Sequence, residues 1–177
     1  YKILLYLSFG NFKIILLIQA IIDALTCLTI YNIANIIFPK QRTFIFLSAI
    51  FSPLMIILAS QILSETIFLF FFTLFLYFSI KSIMQKNNLF LNMAYAGIFL
   101  GLSTAIRSIT FPLIFLSIIP FTVIFFKKNI YKYKILFLSL VFLFFSLVPI
   151  TNRIINNINS FDTFALTSQT GMHLAYW

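Results

Sequence analysis

Glu65, Arg107 and Arg153 are charged residues set into or at the ends of apolar stretches, where a charge needs a reason. Arg107 closes the run from Leu89 and has Ser103, Thr104, Ser108 and Thr110 as hydroxyl neighbours, with Pro112 following to begin a return helix. An arginine in such a place offers a planar fork of donors matched to phosphate oxygens. It could equally anchor a helix end at a membrane interface by snorkelling. Arg153 follows Asn152 at the end of the last apolar run and carries the same two readings: contact with an anionic headgroup, or anchorage.

Glu65 lies in the stretch from Gln61 to Thr66. Ser64 is a good N-cap, which puts Glu65 in the first helical turn. Negative charge there is favoured by the helix dipole, typically by about 0.3–1 kcal/mol. As chemistry, its carboxylate could hold a divalent cation, orient an acceptor or pair with Arg107. Asp23 lies in the middle of an apolar run, and Gln19, Asp23 and Thr26 fall on one helical face. A charged Asp near mid-membrane costs about 2.5–3.5 kcal/mol on insertion scales, so it is expected to face protein in an interhelical contact. Cys27 lies within an apolar run as a structural thiol, and it excludes an internal disulfide framework. His173 has no partner at metal-ligand spacing and reads as a loop residue. No phosphate loop, dinucleotide fingerprint, serine elbow or HExxH helix is present.

The elements that must position these residues are membrane helices. The chain is 62% hydrophobic and 8% charged, against about 25% charged in ordinary soluble domains, and its mean hydropathy is +1.10. That predicts an all-α, polytopic transmembrane bundle. The net charge of +9 does not point to nucleic acid, because the basic residues stand singly or in short clusters between apolar runs. Six crossings are predicted. They are the run between Lys13 and Lys40, Thr43 to Leu63 with a kink at Pro53, Thr66 to Ile80 extended by Ile62, Leu63 and Lys81, Leu89 to Ile106, Ser108 to Phe126, and Ile135 to Asn152. Residues 1–12 read as an interfacial segment, 13–152 as the bundle and 153–177 as the start of an extracytoplasmic region. The chain, beginning at Tyr1 and ending at Trp177, reads as a fragment of a longer protein.

Lys and Arg set the orientation. Lys40, Arg42, Lys81, Lys86, Lys127, Lys128, Lys132 and Lys134 fall on one side of these crossings; Lys2, Lys13, Arg107 and Arg153 fall on the other. The richer set is assigned to the cytoplasm, so Glu65, Arg107, Arg153 and the tail are expected on the outer face. Gly97, Gly101 and Ala105 repeat at four-residue spacing and predict a nearly flat helix face for close packing.

Three stretches together resemble the polytopic type-C glycosyltransferases, among them the dolichyl-phosphate-mannose protein mannosyltransferases and the lipid A aminoarabinose transferases. They are Gln19 to Ala34, then Leu63 to Thr66 with Ala96 to Arg107, then Asn152-Arg153 with Phe161 to Leu174. The chain departs from that pattern in three places. Ser108 follows the arginine, with the proline delayed to Pro112; Asn152 precedes Arg153 rather than following it; and Asp162 stands where glycine is common. The resemblance implies inverting transfer of a sugar from a polyprenyl-phosphate donor to a protein or glycolipid acceptor, at the extracytoplasmic side of the cell membrane. It implies that Arg107, and secondarily Arg153, stabilise the departing lipid phosphate. Glu65 would support the site or a divalent metal cation. The family's catalytic base would precede Tyr1, so no catalytic residue is assigned here. The alternative is a transporter or lipid-linked sugar flippase that uses Asp23, Arg107 and a moving break at Pro53.

Overall fold

A computed structural model of the chain describes residues 11–60, 64–85, 88–127 and 131–161. They are helical or in turns, with no strand among them. They divide into two compact units between Asn88 and Leu89. In the first unit, α1 (Phe12–Ile37) starts at Asn11, whose Oδ1 accepts from the Lys13 amide at 3.0 Å. It ends at Phe38, whose amide reaches Ala34 O just before Pro39. The unit continues with α2 (Arg42–Ile50), α3 (Pro53–Ser60) and α4 (Glu65–Met84). α1 packs most extensively on α4 and then on α2. The second unit comprises α5 (Leu89–Ile106), a 3-10 turn (Ser108–Thr110), α6 (Phe111–Leu116), α7 (Ile118–Lys127) and α8 (Lys132–Phe161). Its main packing is α5 on α8, with α7 also against α8.

Among the described residues, five stretches are long and apolar enough to cross a membrane: Phe12–Ile37, Glu65–Met84, Leu89–Ile106, Ser108–Phe126 and Lys132–Asn159. The remaining predicted crossing, Thr43 to Leu63, is split into α2 and α3. Pro53 has no amide proton to give the Ala49 carbonyl, and that carbonyl accepts from the Ser52 amide in a tighter turn. The Ser108–Phe126 stretch steps at Ser117, just before Pro120 withholds the proton the Leu116 carbonyl needs. Pro112 sits in the first turn of α6, as its place in the sequence predicts. The last helix does not stop at Asn152 but continues to Phe161. The predicted interfacial stretch up to residue 10 lies outside the described residues. So does the tail from Asp162, including Gly171 and His173.

Polarity is inverted relative to a water-soluble core. Gln19, Thr26 and Thr29 of α1 are buried, as are Thr66, Ser79 and Ser82 of α4, while Leu17, Ile21, Leu25 and Leu28 are exposed. That is how a helix packs in hydrocarbon, where the interior offers no apolar advantage over the lipid. The threonines satisfy their hydroxyls within the helix: Thr26 donates to the Ile22 carbonyl and Thr29 to the Leu25 carbonyl. At the ends, cations lean on aromatic rings. Lys81 Nζ lies 5.5 Å from the Tyr77 ring centre, and Arg42 lies 5.8 Å from that of Tyr31 while donating to Asn35 Oδ1 at 2.7 Å.

The second unit is built on contact between backbones. A Cβ placed on Gly97 would lie 2.5 Å from the Phe142 carbonyl oxygen. One on Gly101 would lie 2.3 Å from that of Ser146 and 3.0 Å from the ring of Pro149. Backbone cannot swing aside as a side-chain tip can, so even alanine must push α5 and α8 apart. Gly97→Ala and Gly101→Ala are each expected to cost about 1–3 kcal/mol of stability. Thermal unfolding in detergent should show this as a clear drop in midpoint for both variants and none for Ile109→Ala, at a 77% exposed position.

Candidate functional site

Arg107 is where α5 stops. Its amide still donates to the Ser103 carbonyl at 2.9 Å, but its own backbone is extended, and the chain then turns through Ser108–Thr110 into α6. The side chain at this break is exposed. The hydroxyls expected to stand beside it turn inward instead. Ser103 and Thr104 are fully buried and both donate to the Leu100 carbonyl at 2.8 Å. Thr104 and Thr110 share a hydrogen bond at 2.9 Å, and the Thr110 hydroxyl lies 3.1 Å from the Arg107 carbonyl, which accepts from it. The Thr104 and Thr110 hydroxyls hold the turn, and those of Ser103 and Thr104 also bond back into α5.

Arg153 projects from α8 to the same end of this unit. Its Nη1 donates to the carbonyl of Ala105, two residues before Arg107. Ala105 belongs to the last turn of α5, whose carbonyls lack helical donors and carry the negative end of the dipole. Arg153 thus caps a neighbouring helix across 48 residues of sequence, which no local pattern could reveal. The structure therefore brings the Arg153 guanidinium to the last turn of the helix that Arg107 closes.

Glu65 belongs to the first unit, in the first turn of α4 as predicted. It is half-buried, and its Oε2 is enclosed. Ser64 occupies the N-cap position, but its backbone is already helical and its side chain makes no capping bond. A capping hydroxyl needs the extended conformation that aims it back at the first free amides. Among the described residues no three His, Cys, Asp or Glu side chains gather, and no step is routed through a metal at Glu65.

The polar face of α1 also separates. Gln19 and Thr26 are buried in the unit, whereas Asp23 faces a groove of about 380 Å³ that Cys27 also lines. Cys27 is a free, buried thiol.

No protein-family model, no curated protein and no solved structure matches this chain.

The two arginines separate by their effects on stability. Arg153→Ala removes a charged donor from a helix-end carbonyl and is expected to cost about 1.5–3 kcal/mol. Arg107→Ala, at an exposed position, should change stability by no more than about 0.5 kcal/mol. Paired unfolding curves in detergent check the difference.

Proposed function

We propose that this chain is the membrane portion of an enzyme that transfers a sugar from a polyprenyl-phosphate donor to a protein or glycolipid acceptor at the extracytoplasmic face. The observation that carries this reading is the exposed Arg107 at the break after α5, with Arg153 beside it. Two guanidinium groups at the C-terminal end of α5 favour a phosphate, and the order of motifs along the chain resembles the lipid-phosphate-sugar transferases. The excess of Lys and Arg in the opposite loops puts this end outside the cell.

In the reaction, a base abstracts the acceptor proton, the acceptor oxygen attacks the anomeric carbon with inversion, and the lipid phosphate leaves with the electrons of the broken bond. No residue of this chain is assigned as that base. Arg107 stabilises the charge that grows on the leaving phosphate, a task suited to a fixed donor at a poorly solvated interface. Arg153 holds the turn and faces the same ligand with donors left over from its single bond to Ala105.

A transporter or lipid-linked sugar flippase is the second reading. It is favoured by the break between α2 and α3 at Pro53, since interrupted helices recur in transporters. One preparation tests both. Full-length protein in vesicles, given labelled polyprenyl-phosphate sugar, should form labelled acceptor, and Arg107→Ala should lower that turnover by about 10–100-fold, the loss of one charged hydrogen bond in the transition state. Arg107→Lys should recover part of it. Unchanged turnover in Arg107→Ala removes this residue from the site. Movement of the lipid-linked sugar between leaflets with no transfer supports the flippase.

A further inference from the structure

The geometry points to a binding site for a lipophilic monocation in the first unit, in the groove where Asp23 stands. The groove is about 380 Å³, within the usual range for small-molecule sites. Ala20, Ala24, Cys27, Phe46 and Ile50 supply apolar walls, and Asp23 is the one charged residue lining it. Both Ala20 and Ala24 are exposed, so the α1 side of the groove is shallow and accessible. Phe46 reaches in from α2 and is set by an edge-on contact with Tyr31, centroids 5.5 Å apart at 70°.

The carboxylate decides the ligand class. Asp23 makes no hydrogen bond or ion pair with any described residue, although it lies mid-way along a helix able to span the membrane. Gln19 and Thr26, on the same helical face, are buried in the unit, while Asp23 is left facing the groove. An ionised carboxylate in such a place gains from a positive charge and loses against a lipid tail or a neutral molecule. A compact ammonium with an apolar body satisfies every wall at once. Its charge meets Asp23, and its hydrocarbon meets the alanines, Ile50 and the face of Phe46, an aromatic partner for a cation. Sugar transfer is not assumed, since neither Arg107 nor Arg153 nor Glu65 lines this groove.

The test uses the full chain in nanodiscs of zwitterionic lipid, with labelled benzyltrimethylammonium and its uncharged isostere, neopentylbenzene. Saturable binding of the cation is expected, with the isostere at least about tenfold weaker, as for loss of one charged contact. Asp23→Asn should weaken the cation to the level of the isostere. Ala24→Phe fills the groove and leaves the carboxylate in place; it should abolish binding of both, and it decides the matter should Asp23→Asn fail to fold. Absence of saturable binding, equal binding of the two probes, or undiminished binding in Asp23→Asn or Ala24→Phe overturns the proposal.

Discussion

The second unit rests on one constraint: α5 and α8 approach until the backbone of one meets the backbone of the other. Gly97 faces the Phe142 carbonyl, and Gly101 faces the Ser146 carbonyl and the ring of Pro149, with no room for a methyl group. In hydrocarbon, helices gain little by hiding Leu from lipid, so dispersion and close fit must supply the attraction. Pro149 adds to the constraint. It deprives the Phe145 carbonyl of its helical donor, and its bulky ring sits where Gly101 leaves space. The two irregularities are complementary: a proline inside one helix is accommodated because a glycine stands opposite.

That contact fixes what lies at its end. With α5 held on α8, Arg153 reaches the Ala105 carbonyl, and the turn after α5 is stitched by Thr104, Thr110 and the Arg107 carbonyl. The hydroxyl network is buried and short-ranged, so the turn is specified internally. The Arg107 side chain takes no part in those bonds, which run through its backbone alone.

Much of this was legible in the residues themselves. The helical class, five of the six spans bounded by charges, the Gly97–Gly101 face, the start of the return helix at Pro112 and the place of Glu65 in a first turn all follow from periodicity and local chemistry. Three things were not. Ser64 looked like a cap by type, yet its backbone conformation, which type alone does not set, withdraws the hydroxyl. Ser103, Thr104 and Thr110 looked like polar neighbours of Arg107, but a hydroxyl in an apolar setting takes the nearest carbonyl, and here those carbonyls lie inward. Arg153 carried the same two readings as Arg107, as the secondary phosphate contact. Only the tertiary bond to Ala105 marks it as a capping residue.

Helix electrostatics sharpen that distinction. The C-terminal end of α5 carries roughly half a negative charge on its free carbonyls. Arg153 sits against those carbonyls and offsets them through its bond to Ala105. Arg107 closes that same helix, so two guanidinium charges stand at the end of α5 and together outweigh the half charge of the dipole. The tertiary cap thus decides the sign of the charge at this end of the unit: the carbonyls that would make it negative are already met by a donor from α8.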